Sequence, residues 1–128
     1  MMTKKEYPIL EFDPYSEAYI EPSRVIKPID VPECCVITFF RDAIEAKRHD
    51  GQLKEASCIH YETLDIPLYE TAYQGKRAAL TLGYVGAAGA AGMLEELIAL
   101  GCRKFIVCGG AGVLQKNIAA GHLMIPVS

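Results

Sequence analysis

The stretch LGYVGAAGAAGMLEELIALGCRKFIVCGGAG, Leu82 to Gly112, decides how this chain folds. Its middle, Gly86 to Leu100, begins poor in side chains and becomes a strong helix. Met93, Leu94, Leu97, Ile98 and Leu100 form an apolar face, and Gly101 closes the helix. Lys104 to Cys108, KFIVC, has the continuous apolar run of a buried strand and leads straight into Gly109-Gly110-Ala111-Gly112. A helix opening at one glycine turn, followed by a strand that ends at another, is the repeating unit of an α/β sheet.

Upstream, Cys34 to Phe40 (CCVITFF) is a run of β-branched and aromatic residues that predicts a first core strand. Arg41 to Arg48 mixes helix formers with Ala43, Ile44 and Ala46 and closes at His49-Asp50-Gly51, so a short helix follows. Pro67 to Tyr73 and Arg77 to Leu82, joined by Gln74-Gly75-Lys76, predict a β-hairpin. Downstream, His122 to Val127 predicts a last strand. Strand, helix, hairpin, helix, strand, glycine loop and strand together predict an α/β fold, a mixed and mostly parallel sheet flanked by helices. That domain is expected over residues 34–128. Residues 1–33 contain Pro8, Pro14, Pro22, Pro28 and Pro32, which rule out a long helix, and are expected to form an extended arm. Ile9, Leu10, Phe12, Tyr15, Tyr19, Ile20, Val25, Ile26 and Ile29 supply apolar anchors with which the arm is expected to pack on the body.

The composition narrows the range of functions. With 128 residues, 51% of them hydrophobic and 23% charged, one ordinary globular domain fits and two do not. The net charge of -3 offers no basic face for nucleic acid. Ala78 to Leu94 is uncharged, but it is shorter than the ~20 residues a spanning helix needs and is broken by glycines, so no membrane association is expected. The N-terminus lacks the apolar core of a secretory signal, and the 5 cysteines show no C-x-x-C spacing. Reduced thiols in a cytoplasmic protein are the expectation, with no metal site; Cys102 and Cys108, flanking an apolar run, read as small buried hydrophobes.

Chemistry is expected at the two glycine clusters, Gly83-Tyr84-Val85-Gly86 and Gly109-Gly110-Ala111-Gly112, because both follow strands and the first opens a helix. Glycine there lets a ligand approach the backbone, and the helix start offers N–H donors to a phosphate or a sugar hydroxyl. Gly89 and Gly92 read instead as packing residues of the helix. Neither cluster fits G-x-G-x-x-G, and no Gly-Lys-Ser/Thr follows a glycine loop, which argues against dinucleotides and nucleoside triphosphates.

Residues Leu82 to Pro126 resemble the nucleoside phosphorylase family, which includes uridine and purine nucleoside phosphorylases and related nucleosidases. The resemblance rests on the G-x-x-G turn at Gly83 to Gly86, the helix end LEELIALG at Leu94 to Gly101, the strand and G-x-A-G loop at Phe105 to Gly112, and the segment Ile118 to Ile125. It implies a phosphorylase/hydrolase-like fold, homo-oligomeric assembly, and cleavage of a nucleoside N-glycosidic bond by phosphate in phosphorylases or by water in nucleosidases. No cofactor is implied; phosphate is a co-substrate. Carried over by position, Gly83, Tyr84, Val85 and Gly86 would sit near ribose or phosphate, and Gly109, Gly110, Ala111 and Gly112 would line the phosphate and base pocket.

The chain also departs from the family pattern. Phe39-Phe40-Arg41-Asp42 replaces the family's G-D-P-x-R turn, leaving Arg41 as a displaced phosphate ligand. Val107 and Gly110 stand where an arginine and a threonine are used. Tyr84 stands where another glycine is common, placed to close the pocket or simply to cover the turn. Asp42 and Glu45 are the nearby carboxylates for activating water, outside any motif. The family's second half, with its Met-Glu ribose contacts and the acid that assists the leaving base, lies beyond these 128 residues. The expectation is therefore a truncated homologue that self-associates, with any activity at a site assembled between chains. The alternatives are a module that binds nucleoside or phosphate without turnover, and a structural remnant.

Overall fold

A computed structural model describes residues 4–126. Five strands form one sheet in the order β2-β3-β4-β1-β5: β1 is Cys34–Thr38, β2 Lys54–His60, β3 Asp65–Tyr73, β4 Lys76–Leu82 and β5 Lys104–Cys108. The helices are α1 at Pro22–Val25, α2 at Arg41–His49 and α3 at Ala87–Leu100. β1 runs parallel to both of its neighbours, β4 and β5, whereas β2, β3 and β4 form an antiparallel meander. The sheet is mixed and the fold α/β, as expected, but parallel pairs make up half of the pairings instead of most. The difference is β2, which the sequence reading left unassigned. Its residues KEASCIH are polar at both ends, and its register shifts between Glu55 and Ser57, so neither alternation nor a continuous apolar run marks it.

The core lies between the sheet and α3. Cys35, Ile37, Ile59, Ile66, Leu68, Ala79, Met93, Leu97, Leu100 and Cys102 form one buried cluster. Leu68 and Leu97 are wholly buried, and full burial of such a side chain contributes ~1.5–3 kcal/mol. Thr81, also buried, satisfies its hydroxyl by donating to the Pro67 carbonyl at 2.9 Å. Pro67 is tolerated inside β3 because the β3–β4 pairing begins only at Leu68.

The local chemistry sets the element ends. The β3–β4 hairpin turns on two residues, not three: Tyr73 pairs with Lys76, and Gln74 and Gly75 have φ of 49° and 75°, the primed turn that matches strand twist. α3 closes at Gly101, whose φ of 133° suits glycine, while Cys102 N–H returns to the Leu97 carbonyl at 3.0 Å. A side chain at Gly101 would also press on Val31.

Three expectations need correction. Residues 122–126 form no strand, and Val127 lies outside the described residues. Gly121 has a φ of 93°, and Pro126 lacks a ladder donor, so the segment reads as a turn and an irregular stretch. β5 is a strand but an edge strand, with Ile106 and Val107 each 64% exposed, so its apolar run does not signify burial on both faces. In residues 4–33, Ile26 and Val31 pack on the core cluster and Ile29 N–H bonds the Leu100 carbonyl at 3.0 Å. Ile9, Leu10, Phe12, Tyr15, Tyr19, Ile20 and Val25 are exposed. The arm is anchored from α1 onward, where α1 meets α3 and Ile26 and Val31 reach the core, while the exposed apolar residues before it supply no such packing on the core cluster.

Candidate functional site

The three parallel strands end together. Thr38, the last residue of β1, is in register with Leu82 of β4 on one side and Cys108 of β5 on the other. The ladder continues one step into the loops: Gly83 N–H donates to the Thr38 carbonyl and Phe39 N–H to the Cys108 carbonyl, each at 2.9 Å. Both glycine clusters and the β1 exit at Phe39-Phe40-Arg41 therefore meet at one end of the sheet, where ligands of open α/β sheets bind.

The aromatic ring of Phe39 occupies the space between the two clusters. A Cβ built on Gly83 would lie 2.6 Å from Phe39 Cζ, and one on Gly109 would lie 3.2 Å from Phe39 Cδ2. These glycines make room for a phenyl ring. From sequence Phe39 reads as the end of the first strand and as part of a departure from a motif; this role depends on strand pairing and has no local signal.

Arg41, Gly83, Tyr84 and Val85 line a common hollow of about 580 Å³, together with Glu45, Arg48, Asp65 and Tyr69. Arg41 is the first residue of α2 and is exposed. Among the described residues it makes no ion pair or side-chain hydrogen bond, and so offers its full guanidinium to the hollow. Arg48, in contrast, is held by Glu45 at 2.7 Å, which pushes its pKa up. Asp65 is held by His60, Nδ1 to Oδ1, at 2.7 Å. Gly86 caps α3 with φ 101° and no side chain caps the helix, so the first-turn N–H groups remain open next to Val85, itself 80% exposed.

Gly109, Gly110 and Ala111 line a second hollow, of about 390 Å³, with Phe40, Ile118 and Met124. Gly110 and Gly112 have nothing within 4 Å of a built Cβ. The two glycine clusters thus line separate hollows. Phe39 belongs to neither: it lines an apolar recess of about 270 Å³ with Met93, Leu94, Phe105 and Val107.

Tyr84 is half-buried, its ring lying directly over Gly89 of α3, where a Cβ would overlap Cδ1. Gly89 is therefore a packing residue, as expected, although it receives Tyr84 and not the sheet; Gly92 faces open space. Tyr84 also meets Tyr61 edge to face, centroids 5.1 Å apart. Among the described residues the Tyr61 hydroxyl is buried without a hydrogen-bond partner, and burial, with the Glu96 charge second, pushes its pKa up. Glu96 is likewise raised by burial. Tyr61 was not singled out from sequence. Asp42 stands in the first turn of α2 but does not line the hollow.

The cysteines are free thiols. Cys35 and Cys102 are buried, and the neighbouring Cys102 thiol together with burial raises Cys35; Cys108 is half-buried. Among the described residues no helix is long and apolar enough to cross a membrane. The sequence model of the phosphorylase superfamily matches residues 34–128, running from the first residue of β1 through both glycine clusters. That match spans most of the 128 residues and takes in the convergent strand ends and the elements that position them: this chain belongs to the phosphorylase superfamily.

Proposed function

We propose that the chain serves in phosphorolysis of a nucleoside, with inorganic phosphate as co-substrate and no organic cofactor. A phosphate oxygen bonds to C1′ of the sugar as the C1′–N bond breaks; the base leaves with the bonding pair and takes up a proton. The observation that carries this reading is the hollow that Arg41, without an ion pair among the described residues, lines together with Gly83, Tyr84 and Val85 beside a helix start that no side chain caps. A guanidinium and free backbone donors are the two usual partners of a phosphate dianion. The second hollow, at Gly109 to Ala111, has the backbone openness a base or sugar requires. The exposed Ile106 and Val107 on the edge strand support assembly as a homo-oligomer.

One observation favours binding without turnover. Both carboxylates of the first hollow are engaged, Glu45 by Arg48 and Asp65 by His60, so neither is a ready general acid for the leaving base. The experiment is release of free base from uridine, inosine and adenosine, with and without phosphate. Phosphate-dependent release supports phosphorolysis, and release in phosphate-free buffer makes water the nucleophile. Saturable stabilisation by phosphate or nucleoside without release makes the chain a binding module. No release and no stabilisation sinks the reading.

A further inference from the structure

The antiparallel pairing of β2 with β3 sets His60 opposite Asp65 and Cys58 opposite Pro67. Residues two apart on a strand share a face, so Cys58 and His60 rise from the same side of β2 with Asp65 beside them. The buried Ile59 and Ile66 occupy the opposite side. Cys58 Sγ, a ring nitrogen of His60 and a carboxylate oxygen of Asp65 lie within 4.8 Å of one another. We propose that Cys58, His60 and Asp65 form a binding site for a divalent ion of the zinc class, held by three protein ligands with a further coordination position open.

The ligand set selects the class of ion. A thiolate and an imidazole with one carboxylate suit zinc, and cobalt(II) as its spectroscopic stand-in; magnesium and calcium prefer all-oxygen sets. Bonds of about 2.0–2.3 Å in a tetrahedral shell put ligand atoms about 3.3–3.7 Å apart. The widest separation must therefore close by at most about 1 Å and the His60–Asp65 contact, at 2.7 Å, open by about 0.6 Å. Side-chain rotation allows both, since the two side chains are 73% and 66% exposed while their backbones are fixed by the ladder.

The charges around the site favour a cation. Asp65 and Glu55 place negative charge next to Cys58. Arg48, the cation on the neighbouring helix, is neutralised by Glu45. Metal binding exchanges the Cys58 thiol proton for the ion: the S–H bond breaks, the S–metal bond forms and one proton enters solvent. The sequence reading expected no metal because the cysteines lack the usual spacing. A Cys-x-His on a strand completed by an Asp from its partner has no such signature, since pairing alone joins the ligands.

The test is a titration of the reduced full chain with cobalt(II), followed by the thiolate-to-cobalt charge-transfer absorption. One equivalent should saturate the band, zinc should bleach it and magnesium should leave it unchanged. Cys58→Ser should abolish the band, whereas Cys34→Ser, at an exposed cysteine of β1, should keep it. His60→Asn and Asp65→Asn retain the thiol and should weaken binding by on the order of tenfold or more, with the fold verified by circular dichroism. Absence of the band in the unmodified chain, or its survival in Cys58→Ser, overturns the proposal.

Discussion

Replacing Gly83 by alanine tests how the two glycine clusters are held together. The new methyl would sit 2.6, 2.7 and 3.0 Å from three carbons of the Phe39 ring, well inside van der Waals contact. Gly83 does not have a left-handed φ, so the backbone accepts alanine and all the strain falls on the ring. Phe39 is 42% exposed, so it can move, but moving forfeits the apolar contacts of the other half. Roughly 100 Å² of buried apolar surface at ~25 cal/mol per Å² puts the ceiling near 2–3 kcal/mol. Partial relief by rotation leaves an expected cost of ~1–3 kcal/mol, the usual range for overpacking. In a Phe39→Ala background the obstacle is gone, and Gly83→Ala should be neutral or stabilise by ~0.4–1 kcal/mol through the unfolded chain. The assay is a double-mutant cycle by urea denaturation, read as shifts of midpoint at constant slope. Equal costs in both backgrounds would refute the claim that the ring makes glycine necessary here.

The neighbouring helix gives a contrast: Gly89→Ala should displace Tyr84 and lower the melting temperature, whereas Gly92→Ala, with open space, should stabilise by ~0.5–1 kcal/mol. Glu96 is raised in the fold by burial, so the folded state holds its proton more tightly than the unfolded chain. Stability should fall as pH rises from the ordinary glutamate pKa through the raised one, and Glu96→Gln should flatten that fall in melts taken across the window. The Glu70 carboxyl is lowered by its bonds to Arg77, so its contribution is present above the unfolded pKa and lost on acidification through the folded one. Arg77→Gln should remove that part of the acid limb in denaturation curves measured from neutral to acid pH. If Arg41 is the phosphate ligand, phosphate at ~100 times its dissociation constant should stabilise the chain by roughly 2.7 kcal/mol, and Arg41→Ala should lose most of that thermal shift.

The elements that carry their own signal were legible. The apolar run of β1, the amphipathic start of α2 and the glycine-bounded α3 all stand where the residues put them. What escaped detection depends on pairing. β2 is an edge strand with a register shift, so its residue types show neither a sustained apolar–polar alternation nor an apolar run. KFIVC of β5 has the composition of a central strand, yet the chain order places it at the edge, where Ile106 and Val107 are exposed. The candidate site divides in the same way. Glycines at strand ends are visible as letters; the ring of Phe39 between them, and the Tyr84 ring resting on Gly89, exist only once β1 lies between β4 and β5.

That placement follows from one crossover. α3 connects β4 to β5, and because β1 lies between those strands the connection must pass over it. The turn that opens α3 and the loop that leaves β5 then necessarily fall on either side of the exit from β1. Residues 39–41 are the ones the topology inserts between two backbones stripped of side chains. What stands there decides what the glycines can do: Phe39 fills the gap with hydrocarbon, while Arg41, two residues on at the start of α2, brings an unpaired positive charge to the hollow beside Gly83. Substitutions at Gly83 and Gly109, which meet the Phe39 ring, should therefore act mainly through packing and stability, whereas exchanges at Arg41 should act on anion binding with the fold intact. A variant at Arg41 that unfolded the chain, or one at Gly109 that abolished phosphate binding while leaving stability unchanged, would reverse that division of labour.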